Sequence, residues 1–317
     1  HGRDRRQRQM CIRDSGLGVR MGEITRAFDQ FLDIKLQSST SSYSFAKSKS
    51  EIFDQLESTL IPKNATVGTR LREFFDGLSN LAQDPDSANL RRLALSGANA
   101  VSASISELHG GLTDLRTVTH GTLELTVADF NSTLKNLSHV QNEILGNSAK
   151  SGAPHGLLDR RDTLLEQLSE IADISVDYQA NGGVTVSLGK LGAVGTLLEG
   201  AKFNEVTVQS DMSGVKTFVK DNFGVSYSVN FSSGQMAGLI SADIASGETI
   251  AGLNKLAQKF VTEMNSLHHM GINKDGERGG KLFGLETASI IKSPKNLGTA
   301  SMRIEGYANE LSGSTLN

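Results

Sequence analysis

The chain of 317 residues carries a formal net charge of -3, from 32 basic and 35 acidic side chains, and is long enough for about two domains. That balance supplies no clustered cationic surface to neutralise phosphates, which argues against nucleic acid as a partner. With no Trp, 5% aromatic residues and a single Cys, Cys11, it suits helical seams and small β cores; no enclosed small-molecule site, disulfide, zinc site or other cofactor is expected.

The chain opens with "HGRDRRQRQMCIRDS", an Arg-rich stretch holding the one Cys. It reads as a solvated basic tail or as non-native flanking sequence, so residues 1–17 stand apart from fold reasoning. No run reaches the roughly 18 apolar residues that span a bilayer, and no signal-peptide pattern is present, so no membrane partner is expected. Coherent periodicity starts at Gly18. Ile24, Phe28, Phe31, Phe45, Ile52, Phe53, Leu56 and Leu60 predict a long helical region through "SSTSSYS", ended by Pro62. A second helix carries Leu71, Phe74, Phe75, Leu78 and Leu81 and stops at "QDPDSAN", where Asp86 or Ser87 can cap the next. In the third, Val101, Ile105, Leu108, Leu112 and Leu115 step by fours and threes, the spacing of a coiled-coil seam. Leu115, Thr119, Leu123 and Val127 step by fours, a stutter, before Phe130, Leu134, Leu137 and Ile144 resume the seam. Gly110, Gly111 and Gly121 predict a kink or short break, and "GNSAKSGAPHG" predicts a loop.

The stretch "LLDRRDTLLEQLSEIADISVDYQANGGVTVSLG" then changes period. Leu157, Leu158, Leu164, Leu165, Leu168 and Ile171 recur with helical spacing, while Ile174, Val176, Tyr178 and then Val184, Val186 and Leu188 alternate as strands do. Asn181-Gly182 suits a type I′ hairpin turn. Runs at Phe203 to Val208, Val215 to Val219 and "VSYSVNF" extend this to an antiparallel β domain of about five or six strands over residues 174–232. Helical spacing returns at Met236, Leu239, Ile240 and Ile244 and continues through Leu253, Phe260 and Leu267. The expected fold is therefore α+β and multidomain, a long-helix bundle with a small antiparallel β domain inserted between its helices. Residues 18–173 form its first part, 233–271 its returning helices, and 272–317 a loop-rich start of a further region.

Catalytic motifs fail in turn. His268 and His269 are adjacent rather than four apart, and His109, His120, His139 and His155 read as scattered surface histidines. "GKLGAVG" lacks the Lys-Ser/Thr of a phosphate loop and reads as a β turn; "NKDGERGG" lacks the terminal Glu of a calcium loop and reads as a tight turn. Glu166 and Glu170 lie i, i+4 on a polar helix face, where solvated charge is the expected state. No enzyme is indicated.

The order of these elements resembles the bacterial flagellar hook-associated protein 1 family. Its pattern of an L-x-x-x-R-D-x-L-L-x-x-L-S helix leading into a hairpin and a V-x-V-x-x-G strand is matched by Leu157, Arg161, Asp162, Leu164, Leu165, Leu168, Ser169, Gly182, Val184, Val186 and Gly189. The segments "ITRAFDQFLDIKLQSSTSS", "LREFFDGLSNLAQDPDSANLRRLALSGANAVS" and "SSGQMAGLISADIASGETIAGLNKLAQKFVTEMNSLHHMGIN" are similar to that family's segments in the same order. The resemblance covers about residues 18 to 285, without the family's terminal helices, so an internal portion of a longer protein is expected.

It implies a structural subunit joining hook to filament, needed for flagellum assembly and motility. It implies extracellular location, export through the type III apparatus without a cleaved signal, and contact with itself, hook protein, hook-associated protein 3 and an export chaperone. Two readings compete with it. Hook-associated protein 3 or a flagellin would share the bundle, and a secreted glycan hydrolase would need two carboxylates of split pKa. Leu158, Leu165, Leu168 and Ile171 are expected to fix the bundle to the β domain, so that Leu165→Ala costs about 2 to 5 kcal/mol if buried.

Overall fold

The computed structural model describes residues 29–284 except 63–65, 152–153, 190–191, 212–213 and 274. The Arg-rich opening, Ile24, Phe28 and everything past Gly284 lie outside the described residues. The fold is α+β. Among the described residues five helices run α1 (Gln30–Leu60), α2 (Val67–Gln83), α3 (Ala88–Ser151), α4 (His155–Ile171) and α5 (Gly234–Met270). Between α4 and α5 come β1 (Ile174–Tyr178), β2 (Val184–Leu188), β3 (Thr196–Glu199), β4 (Lys202–Phe203), β5 (Glu205–Asp211), β6 (Gly214–Lys220) and β7 (Ser226–Val229).

Helix starts follow side-chain capping chemistry. The Asp29 carboxylate accepts from the N–H of Phe31 at 3.0 Å, Thr66 accepts from Thr69, and Ser87, rather than Asp86, accepts from Leu90. The spine is α3, whose 64 residues span about 96 Å at 1.5 Å per residue. Most of its predicted seam is buried, stutter included: Val101, Leu112, Leu115, Thr119, Leu123, Val127, Phe130, Leu134, Leu137 and Ile144 are inaccessible to solvent or nearly so, while Ile105 and Leu108 are half-buried. The expected break at the glycines does not occur. Gly110 and Gly121 face open space, whereas Gly111 admits the end of α1, where an added Cβ would lie 3.1 Å from Thr59 Cγ2. Packing along the flank thus offsets the helix-propensity cost of glycine, about 1 kcal/mol each. The loop expected from Gly146 is also shorter, because α3 continues to Ser151.

Two sheets replace the expected single set of five or six strands. One has the order β1-β2-β3-β4 and the other β5-β6-β7, all pairs antiparallel. The run Phe203 to Val208, expected as one strand, is divided at Asn204, whose N–H bonds the Leu197 carbonyl and whose Nδ2 donates to the Thr196 carbonyl. Asn204 thereby ends one sheet and lets the chain enter the next. The first hairpin stands, but not on a type I′ turn. Asn181 keeps negative φ and Gly182 alone is left-handed, at φ 80°. The Gly182 N–H returns to the Gln179 carbonyl and the Gln179 N–H to the Gly183 carbonyl, a three-residue loop closed by a glycine bulge. The turns at Asp221–Val225 and Asn273–Glu277 repeat that bonding, with Gly224 and Gly276 at the same station. "NKDGERGG" is therefore the tight turn expected. In "GKLGAVG", residues 190–191 lie outside the described part and Gly192–Gly195 forms a 3-10 turn rather than a β turn.

One hydrophobic core runs from α1, α3, α4 and α5 into both sheets. A smaller aromatic core of Phe74, Phe260 and Phe283 closes the end formed by α2, α3 and α5, its rings meeting edge to face at 5.0 to 6.3 Å.

Candidate functional site: the joint between bundle and β module

The motif helix α4 sits at the joint. Leu164, Leu165 and Leu168 are buried in the same core as Val176, Val184, Val186 and Leu188, while Leu157, Leu158 and Ile171 are half-buried at its margin. The buried face is thus centred on Leu164, Leu165 and Leu168, not on Leu158 and Ile171. Helix α4 turns by 100° per residue, so the edge positions of an apolar stripe lie where the neighbouring layer ends. Leu165→Ala is expected to cost about 3 kcal/mol in urea unfolding, because the site is fully enclosed and the truncation leaves a cavity in the core.

Arg161 is the polar pin of the motif and is itself buried. Its Nη1 donates to the Gly182 carbonyl at 2.6 Å, its Nε to Asp162 at 2.8 Å, and its guanidinium lies 5.1 Å from the Tyr178 ring centroid. One side chain of α4 therefore holds the hairpin turn, and Asp162 balances its charge. Gly189 closes the hairpin's far end at φ 50°, with its N–H on the Asp173 carbonyl. Gln37 of α1 donates to the Tyr178 hydroxyl at 3.3 Å.

Burial raises the Tyr178 phenol above its ordinary value of 10.0, outweighing the Gln37 hydrogen bond and Arg161, which lower it. The unfolded chain therefore releases this proton first. Stability contributed by neutral Tyr178 is complete below about pH 10 and is lost as pH rises toward the folded-state value. Tyr178→Phe is expected to flatten the alkaline limb of a stability-against-pH curve and to leave its neutral region nearly level.

Helix α3 contributes the contacts that sequence reading missed. Gln141 Nε2 donates to the Val184 carbonyl at 2.8 Å while its Oε1 accepts the Val184 N–H at 3.2 Å. Asn131 does the same to Val206, at 2.8 and 2.9 Å, and Ser138 donates to the Ala201 carbonyl at 2.7 Å. Each amide imitates a neighbouring strand, so α3 satisfies strand backbone in both sheets. A signal was present: Asn131, Ser138 and Gln141 each follow a seam residue, Val127, Leu134 or Leu137, by four positions and share its face. Gln141→Ala is expected to cost about 2 kcal/mol in thermal unfolding, since two buried backbone groups of Val184 lose their partner.

The second missed group is a buried ion cluster. Asp243 of α5 is 1% exposed and accepts from Arg116 Nε at 2.6 Å and Nη2 at 3.2 Å; His120 Nε2 lies 2.6 Å from the same Oδ1. Bonding to the Asp243 carboxylate raises the already basic Arg116 further. His120 is thus bound into the α3–α5 contact, correcting its reading as a scattered surface histidine. His268 and His269 sit at an exposed helix end, where their Nδ1 atoms meet the Gly280 and Gly279 carbonyls. Glu166 and Glu170 are exposed on α4, and no group of three metal-ligating side chains occurs among the described residues. No helix among them is long and apolar enough to cross a membrane.

These features define a class: an elongated α+β module whose polar side chains are committed to holding strands against a long-helix bundle. The chain belongs to the family described as the flagellar hook-associated protein FlgK helical domain, whose model matches residues 53–283. It is similar to flagellar hook-associated protein 1 of Bacillus subtilis strain 168, with 26% identity over 300 residues, covering 84% of this chain and 58% of that protein. The Escherichia coli K12 protein of the same name is 21% identical over 295 residues, covering 89% of this chain and 53% of its own length. The chain spans about half the length of the curated relatives it matches. Its fold is also that of the flagellar hook junction protein FlgK from Burkholderia pseudomallei, with a TM-score of 0.70, 22% identity, and coverage of 78% of this chain and 46% of that one.

Proposed function

We propose that this chain is a structural subunit of the bacterial flagellum, placed at the junction of hook and filament and needed for flagellum assembly and motility. The observation that carries this reading is the family match over residues 53–283, on a chain whose elements follow in the order the family motif requires. The match favours this role over hook-associated protein 3, a flagellin or a secreted glycan hydrolase.

In this reading residues 18–173 and 233–271 form the bundle, 174–232 the β module, and 272–317 lead into a further region. Leu157, Leu158, Arg161, Asp162, Leu164, Leu165, Leu168, Ile171, Gly182, Val184, Val186 and Gly189 hold the joint between them. The subunit works outside the cell, exported without a cleaved signal, and contacts further copies, hook protein and hook-associated protein 3 after release from an export chaperone. It acts by shape and requires no cofactor.

The test replaces the matching segment of a resident hook-associated protein 1 with residues 53–283 in a motile bacterium. Swimming in soft agar, with the chimera present in purified hook and filament preparations, is the expected result. A chimera that is exported and folded yet absent from those preparations overturns the reading.

A further inference from the structure

We propose that residues 278–283 form a second joint of this chain, a strap clamped to the last turns of α5 that fixes the point and direction at which the chain leaves the bundle. This places the boundary with the region that follows after Phe283 rather than after Gly271. The inference rests on the reading above only in taking a further region to follow; the clamp itself is built from described residues.

The clamp is made of Asn265, His268 and His269, which stand at i, i+3 and i+4 and so share one face of α5. Asn265 Oδ1 accepts the N–H groups of Leu282 and Phe283 at 2.8 and 2.9 Å, and its Nδ2 donates to the Phe283 carbonyl at 2.8 Å. His268 Nδ1 lies 2.6 Å from the Gly280 carbonyl oxygen, and His269 Nδ1 lies 3.1 Å from that of Gly279. A carbonyl oxygen only accepts, so each Nδ1 carries the shared proton. Backbone completes the crossing, with the Gly279 N–H on the Gly271 carbonyl at 3.1 Å. Only glycine fits there, because a Cβ added at Gly279 would overlap the His268 carbonyl oxygen.

The β module is held by the same device. Asn131 covers the N–H and C=O of Val206, and Gln141 those of Val184, as Asn265 covers those of Phe283. Such bonds are directional and address backbone, so they set position and register whatever side chains the held segment carries. Phe283 adds the apolar anchor, its ring centroid 5.0 Å from that of Phe260 and 5.9 Å from that of Phe74. Arg278, Gly280 and Lys281 are exposed and Leu282 is half-buried, so Phe283 is the strap's one buried side chain. A segment held by one ring and by bonds at the solvent margin is less stable locally than the α3 seam, and it detaches as a unit while the bundle stays folded.

The experiment uses the 317-residue chain with Cys11→Ser and spin labels at Glu124→Cys and Gly284→Cys. Glu124 is exposed on α3, about 35 Å along the helix from Val101, which shares the aromatic core with Phe283. A Cβ at Gly284 meets no atom within 4 Å, so the second label is tolerated. Double electron–electron resonance is expected to give one narrow distance in this parent and a broad distribution when Asn265→Ala is added. Leu165→Ala, which weakens the other joint, is expected to leave the distance narrow. Trypsin cleavage at Arg278 and Lys281 is expected to quicken about tenfold with Asn265→Ala, and likewise with Gly279→Ala, while α3 amides keep their hydrogen-exchange protection. A broad distance in the parent overturns the proposal, as does an Asn265→Ala variant whose distance and cleavage match the parent's. Loss of α3 protection in step with cleavage also overturns it, since the strap would then belong to the cooperative core. A chimera that joins the appendage while the parent distance is broad leaves the flagellar role standing without this joint; a narrow distance with an excluded chimera does the reverse.

Discussion

Asp243→Ala is expected to destabilise the chain by about 3 to 5 kcal/mol in urea unfolding. The carboxylate is the common acceptor for Arg116 and His120, and it is almost fully enclosed between α3 and α5. Removing it takes from the Arg116 guanidinium, only 12% exposed, the carboxylate that bonds its Nε and Nη2, and leaves the weaker attraction of Asp211. Desolvation of that cation is then opposed by less attraction, and the helices must part to admit water. Asp243→Asn keeps the volume and should lose nearly as much, because charge rather than size is at issue. Replacing the whole cluster, with Arg116→Met, His120→Leu and Asp243→Leu together, should recover most of the loss, since no buried charge remains to be compensated. If the single and triple variants unfold at the same urea concentration, packing and not charge governs the contact.

Gly238→Val is expected to cost about 4 kcal/mol and to abolish two-state unfolding if the helices separate locally. A Cβ at Gly238 would lie 1.9 Å from Ser48 Oγ and 2.8 Å from the Phe45 carbonyl oxygen, so α1 and α5 touch backbone to backbone. Ser48 could swing away, forfeiting its bond to the Gln235 carbonyl, but the Phe45 carbonyl belongs to the helix itself. Pairing Gly238→Ala with Ser48→Ala should therefore rescue only part of the loss, and complete rescue would show that the side chain alone sets the limit. Gly234 is constrained as tightly, at φ 81° and with backbone atoms of Ile171 and Ala172 2.6 Å from its Cβ position. Small size therefore matters at Ser48, which is buried in α1 and donates to the Gln235 carbonyl of α5. Of the "SSTSSYS" run only Ser41 is buried, and Gln37 is buried where it donates to Tyr178 of β1.

Much of the bundle was legible because burial in helices leaves a period. The α3 seam, its stutter and the change of period after Ile171 all follow from which positions repeat. The joint was half legible: the leucines of α4 announced a buried face, and Gly182 and Gly189 announced turns. Phe74 and Phe75 show the limit. Both are aromatic neighbours in one helix, yet Phe74 is enclosed and Phe75 half exposed, a choice made by where Phe260 and Phe283 arrive from distant sequence.

By itself, the amino-acid sequence determined the helices, their seams, the hairpins and the family, because these depend on neighbours three, four or two residues away. Tertiary structure alone decided the pairings across long separations: Asp243 with Arg116 and His120, Gln141 with Val184, Asn131 with Val206, and Gly238 with Ser48. A polar or small residue in a helix has no period of its own. What it does is settled by the partner that folding brings within hydrogen-bonding or van der Waals distance, and burial then makes that partner costly to lose.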